Sequence, residues 1–245
     1  MTPELLPLLK ELKLMAFADN FQDVLAKETN SAAALLALCR LELERRFSSK
    51  VKRRIKEASF PKIKTLAMLD YQKAPRLPKK TVNELAEGKF IDLKRNVILV
   101  GDSGGGKTHL SIALGITACQ KGHSVKFFTA CQLANNLTKQ FDEGNIEKFM
   151  VKLKKYDVLT IDELGYVPFS KKAAELMFQV FSDRYESGSL IVTSNLNFSR
   201  WTEVFIDKTM TTALLDRLTH NATIIKYDWG SFRFNHAIEA NPKTL

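Results

Sequence analysis

Eight residues, Gly101-Asp102-Ser103-Gly104-Gly105-Gly106-Lys107-Thr108, restrict this chain more than any other stretch, because they fit the pattern G-x-x-x-x-G-K-[ST]. They follow the apolar run Asn96–Val100 and precede the helical pattern Lys107–Gln120. That is the strand–loop–helix setting the pattern requires. Small glycines let such a loop curl until several backbone N–H groups face one point and form an anion nest. The helix that begins at Lys107 adds the positive end of its dipole. Lys107 is placed to set an ammonium on the β- and γ-phosphates, and the Thr108 hydroxyl to ligate Mg²⁺. Residues Gly101, Asp102, Ser103, Gly104, Gly105, Gly106, Lys107, Thr108 and His109 are therefore the expected nucleotide-binding set.

The rest of the second half supplies the sheet that this loop needs. Candidate strands are Asn96–Val100, Ser124–Thr129, Asp157–Ile161, Ser189–Thr193 and Ala222–Tyr227, most of them short and rich in β-branched residues, as strands covered on both faces must be. Helical patterns lie between them at Lys107–Gln120, Cys131–Phe141, Ile146–Lys154 and Lys171–Ser187. Five strands with helical crossovers mean a doubly wound parallel α/β sheet. Val158-Leu159-Thr160-Ile161-Asp162-Glu163 brings two adjacent carboxylates to a strand's C-terminal edge, where ligands bind in such sheets. Asp162 is the candidate Mg²⁺ ligand. Glu163 can take a proton from a water aimed at the γ-phosphate. A strand with its crossover (Ser124 to about Lys154) stands between loop and carboxylates, which with the second acid points to ATP hydrolysis and away from simple phosphate transfer.

Further candidates are polar residues near later strand ends. Asn195, after Ser189–Thr193, is placed to orient the attacking water or sense the γ-phosphate; as a lone residue it also reads as part of a turn. Arg217 sits in the apolar helical stretch Leu214–Leu218, where an arginine finger would reach a neighbouring subunit's nucleotide, or where it would pair with Asp216. Arg184 is a second finger candidate. Arg233, in Gly230-Ser231-Phe232-Arg233, stands to contact phosphate in cis or in trans.

The first half reads differently. Thr2 and Pro3 make a helix start, and Leu5, Leu6, Leu9, Leu12 and Leu14 recur at helical intervals towards Phe17 and Phe21. Asn30-Ser31 offers a second cap before a long amphipathic run that Pro61 is expected to close. This predicts a small all-helical domain over 1–65, then a linker with a short helix (Lys80–Glu87) over 66–94, then the α/β domain over 95–245. Between Arg45 and Lys80 there are thirteen basic and two acidic residues, leaving twenty-four basic and twenty-five acidic elsewhere, so the whole +10 excess lies in one segment. Positive charge this concentrated suggests a polyanion, most often nucleic acid, with a solvated helix face or basic linker as the alternative. Arg45, Arg46, Lys50, Lys52, Arg53, Arg54 and Lys56 are the candidate DNA contacts. Only Phe47, Phe60 and Tyr71 interleave with them, which favours duplex over stacking on single strands.

Three widely spaced cysteines (Cys39, Cys119, Cys131) fit reduced thiols and not a disulfide framework. No run approaches the eighteen apolar residues of a membrane span, and no signal peptide is evident. The expectation is a cytoplasmic protein without a membrane partner.

The stretches GDSGGGKTHL, IDELGYVP, IVTSN, ALLDRLTH and GSFR, in this order and spacing, resemble the IstB-like ATPases, AAA+ helper proteins of insertion-sequence transposition that are similar to the DnaC/DnaI helicase loaders. The resemblance covers nearly the whole chain, including the Leu-rich N-terminal helices and the run RRFSSKVKRRIKEASFP. It implies a five-stranded P-loop AAA+ sheet of order 5-1-4-3-2. It also implies ATP and Mg²⁺ as cofactors, and a homo-oligomer with nucleotide sites at subunit interfaces. Such a protein assembles on double-stranded target DNA with ATP and recruits and stimulates a transposase, in action at the bacterial nucleoid. A DnaC-like replicative helicase loader is the alternative the same core allows. Many family loops carry Pro or Thr where this chain has Asp102 and Gly105, so turnover is expected to be slow. No room for a helical lid is expected after Arg233, which leaves its cis role open.

Overall fold

The computed structural model describes residues 4–28, 30–72 and 74–228. The expected cap at Thr2 and Pro3, and Arg233 with its GSFR motif, lie outside the described residues. The chain forms two compact units, the first ending at Arg53 and the second starting at Arg54.

The first unit contains α1 (Leu5–Glu11), α2 (Met15–Lys27) and most of α3 (Ser31–Ala58). Lys13, in the left-handed region at φ 57°, breaks the leucine run between α1 and α2. Leu9, Ala16, Ala34 and Leu38 are buried in this unit. Glu42 is buried too: it accepts from the Ala16 N–H at 2.8 Å, in the first turn of α2, and from Arg46 Nε at 2.8 Å. Burial opposes that charge, but the donors of Arg46 and Ala16 outweigh it and hold the carboxyl below its usual range.

α3 ends at Ala58, earlier than Pro61, because Ser59 turns into the left-handed region at φ 60°. Its last turn is satisfied by Lys126, whose Nζ donates to the Glu57 carbonyl at 2.9 Å and to Ser59 Oγ at 2.7 Å. A 3₁₀ turn (Leu66–Met68), α4 (Lys79–Ala86) and the short α5 (Lys89–Asp92) follow.

The second unit is built on five parallel strands: β1 (Asn96–Gly101), β2 (Val125–Thr129), β3 (Val158–Leu164), β4 (Ser189–Ser194) and β5 (Ala222–Tyr227). Their order is β2-β3-β4-β1-β5, the expected 5-1-4-3-2 seen from the other edge. The crossovers are α6 (Lys107–Gln120), α7 (Ala130–Asp142) with α8 (Ile146–Lys154), α9 (Lys171–Arg184), and a 3₁₀ turn (Phe198–Arg200) with α10 (Thr202–Phe205) and α11 (Lys208–His220). Side chains alternate across each strand. Ile98 and Val100 join Ile161 and Val192 beneath α7 to α11, whereas Val97 and Leu99 join Ile191 and Ile225 beneath α4 to α6. With both faces covered, the sheet offers a ligand only its C-terminal edge.

Two departures from the sequence expectation matter. β3 runs on through Asp162 and Glu163 instead of stopping at Ile161, because a bulge sets these two residues against Thr193 alone: Ile161 pairs with Val192 and Leu164 with Ser194. α9 stops at Arg184 and not Ser187, and Arg184 is buried. Its guanidinium donates to the carbonyls of Leu153 (3.1 Å), Asp157 (3.0 Å) and Ser189 (3.0 Å). Arg184 thus ties α8 to the starts of β3 and β4, at the sheet edge opposite the phosphate loop, and is withdrawn as a finger candidate.

Candidate nucleotide site

The phosphate loop leaves β1 at Gly101, and α6 starts at Lys107. β5 passes so close that a Cβ on Gly101 would meet the Tyr227 backbone carbon at 2.7 Å. Gly104 and Gly106 take φ 87° and 99°, a conformation costly for other residues. Lys107 is buried and donates from Nζ to the loop's own carbonyls, Gly101 O at 2.5 Å and Asp102 O at 2.7 Å. These bonds hold the ammonium at the mouth of the nest. The Asp102 side chain is exposed.

Opposite the loop, the β3 edge presents its carboxylates. Asp162 is 3% exposed. Its Oδ1 accepts from Thr193 Oγ1 at 2.6 Å and from Thr108 Oγ1 at 3.1 Å. Burial pushes its carboxyl up from the usual range, against the Thr193 and Thr108 hydroxyls and the Lys107 charge. Glu163 is exposed and sits at φ 62°. Its N–H donates to Thr193 Oγ1 at 2.9 Å. Thr193 therefore fixes both acids at once, clamping Asp162 by its side chain and Glu163 by its backbone.

These groups line one cleft of about 650 Å³, in which Lys107, Thr108, Asp162, Glu163, Thr193 and Asn195 meet. The Asn195 side-chain oxygen is buried with no hydrogen-bond partner among the described residues. Thr108 and Asp162 are hard oxygen donors, and among the described residues no cluster of three or more His, Cys, Asp or Glu exists. Such a pair suits Mg²⁺, which keeps water and substrate phosphate in its shell and does not need an all-protein cage.

A second cavity of about 330 Å³ adjoins the loop and is lined by Met68, Leu69, Leu77, Gly105 and Tyr227. Its lining is mostly apolar, with Lys64, Asp70 and His109 also part of it, and it is roomy enough for a nucleobase. Gly105 belongs to the expected loop, but the sequence reading missed Met68, Leu69 and Leu77, since the 66–94 segment read as a linker with a short helix, and Tyr227, which read only as the end of a strand. Thr193 and Tyr166 were missed as well. The Tyr166 hydroxyl lies 2.6 Å from Ser103 Oγ, across the cleft mouth. His109 bonds the Thr65 carbonyl through Nε2 at 3.1 Å, tying α6 to the segment that walls both cavities.

Other expected residues lie elsewhere. Arg217, on α11, donates to the Ala213 carbonyl at 3.0 Å, lies 5.5 Å from the Phe178 ring and does not line the cleft. Arg45 pairs with Asp19 at 2.6 Å and Arg46 with Glu42 at 2.8 Å. Lys50, Lys52, Arg53 and Lys56 are exposed, whereas Arg54 is half-buried. Among the described residues no helix is long and apolar enough to cross a membrane.

A parallel sheet of this order, with phosphate loop and paired acids meeting at its C-terminal edge, defines a P-loop nucleotide-binding protein of the AAA+ class. Residues 7–240 match the family of IstB-like ATP binding proteins, and the chain belongs to that family. It is similar to an ATP-binding protein of insertion sequence IS21 from Pseudomonas aeruginosa, 36% identical over 98% of this chain and 92% of that one. In fold it is similar to AMPPCP-bound DnaA from Aquifex aeolicus (TM-score 0.59, 21% identity, 76% of this chain and 57% of that one). The DnaC helicase loader is a further structural likeness (TM-score 0.55, 19% identity, 71% of this chain and 99% of that one).

Proposed function

We propose that this chain is a Mg²⁺-dependent ATPase that assembles on duplex target DNA with ATP and stimulates a transposase. The observation that carries the reading is the cleft, where Lys107, Thr108, Asp162 and Glu163 converge in a member of an insertion-sequence ATP-binding family. The fold alone also suits a helicase loader, but full-length likeness to an insertion-sequence protein favours transposition.

In this reading the base enters the Met68–Tyr227 cavity, and the loop N–H groups and Lys107 hold the phosphates. Thr108 and Asp162 are the residues that would hold Mg²⁺, which when bound would supply charge neutralisation for the nucleotide's phosphates. Glu163 accepts a proton from the attacking water, and Asn195 aligns that water or reports the γ-phosphate. A low-dielectric cleft with fixed donors stabilises charge that develops in the transition state. Arg217 acts in trans from a second copy, with Arg233 as the other candidate. Lys50, Lys52, Arg53 and Lys56 track DNA phosphates, with Arg45, Arg46 and Arg54 adding to the field. The setting is the bacterial cytoplasm, at the nucleoid.

The test is a strand-transfer assay with the transposase encoded beside this chain. Wild-type protein with ATP is expected to raise insertion, and Lys107→Ala to leave it at the level of transposase alone. Stimulation that survives Lys107→Ala, or no stimulation by wild type, contradicts the proposal.

A further inference from the structure

The two cavities of the nucleotide site share Lys64, Gly104, Gly106 and His109. A nucleotide with its base in one cavity and its terminal phosphates in the other must pass its α-phosphate through this junction. Two of the four residues are glycines, and His109 already bonds the Thr65 carbonyl. Lys64 is half-buried and, among the described residues, has no carboxylate or carbonyl partner. Lys107 is held at the other side of the loop by Gly101 and Asp102.

The segment that carries Lys64 is held against the ATPase core. Phe60 meets the Phe127 ring edge-on at 6.0 Å and lies over Gly115 on α6, where a Cβ would stand 2.8 Å from its ring. The Thr65 carbonyl is fixed by His109 at the other end. Lys64 is therefore presented from a backbone pinned on both sides.

We infer that Lys64 is a second phosphate-binding cation of the site, outside the phosphate-loop motif, and that it contacts the α-phosphate. It is a binding residue that adds to Lys107: one ammonium serves the phosphate next to the ribose, the other the terminal phosphates. This rests on the nucleotide-site reading above, and the test separates the two.

The experiment is competition of ATP, ADP, AMP and adenosine against a fluorescent ATP analogue, for wild type, Lys64→Ala, Lys64→Arg and Lys107→Ala, with thermal unfolding of each variant as a folding control. A charge-assisted contact to the α-phosphate predicts that Lys64→Ala weakens ATP, ADP and AMP by a common factor of about ten and leaves adenosine unchanged. Lys64→Arg should restore most of the loss. Lys107→Ala should instead weaken ATP and ADP while sparing AMP. Unchanged affinities in Lys64→Ala, a loss confined to ATP, or an equal loss for adenosine overturns the assignment. Should wild type bind none of the four, the nucleotide-site reading itself fails and takes the assignment with it.

Discussion

Glu163 at φ 62° carries a backbone strain of about 1–2 kcal/mol for an L-residue. The bulge imposes that conformation and sets the acid at the edge of the cleft, so strain falls at the position proposed to activate water. Glu163→Gly should accordingly be more stable than Glu163→Ala by about 1 kcal/mol, read by urea unfolding; equal stabilities would mean the bulge relaxes. Glu163→Gln should bind ATP normally and lose turnover by about 10²–10⁴-fold in a single-turnover assay. Asp162 has a folded pKa raised by burial, so its ionised form costs stability; the cost is absent below the unfolded pKa and complete once pH exceeds the folded one. Asp162→Asn should therefore raise Tm at neutral pH, at about 2–4 °C per kcal/mol for a chain this size, and abolish Mg²⁺-dependent nucleotide binding. A lowered Tm would mean that Thr108 and Thr193 depend on the charge. The two acids were legible from their place at a strand end, but Thr193 was not: nothing in IVTSN marks which hydroxyl a bulge in the next strand will bring to both.

At the level of elements, β1, α6, α8 and β5 follow their sequence signals closely because each has a clean pattern and a clear punctuating residue. The wall of the two cavities beside the phosphate loop, drawn from Phe60 to Leu77, was not legible, since it is held by tertiary contacts and not by periodicity. Gly115 shows the consequence. In a free helix Gly→Ala gains about 1 kcal/mol, but here the methyl would strike Phe60. Gly115→Ala should destabilise the protein and weaken ATP binding together, since Pro61, Lys62 and Lys64 line the cleft beyond that ring; a stabilised variant with unchanged affinity would contradict this packing. Arg184 misled for a related reason. A single arginine near the end of an apolar helix looks the same in sequence whether it faces a neighbour or three buried carbonyls. Arg184→Met should cost about 3 kcal/mol by urea unfolding, leaving acceptors unpaired, whereas a surface finger would cost almost nothing.

For the whole molecule, the charge distribution links the nucleotide-binding fold to the proposed DNA partner. The basic run occupies the later turns of α3, which contributes residues to both compact units. Its exposed members suit phosphate tracking without base readout, so affinity should fall linearly on a log–log salt plot and be insensitive to sequence. Replacing Lys50, Lys52 and Lys56 together should reduce that slope by up to about 2.7, at about 0.9 per lost phosphate contact; an unchanged slope would place DNA elsewhere. The charge block and the family were readable from residue order alone, whereas the share of the block spent on internal pairs, as at Arg45 and Arg46, needed the fold. The most direct test of the account is sedimentation of Glu163→Gln protein with labelled duplex or single-stranded DNA, with ATP or ADP, at low and high salt. Large assemblies are expected on duplex with ATP alone, weakening steeply as salt rises. Assembly that ignores the nucleotide, or that prefers single strands, would contradict it.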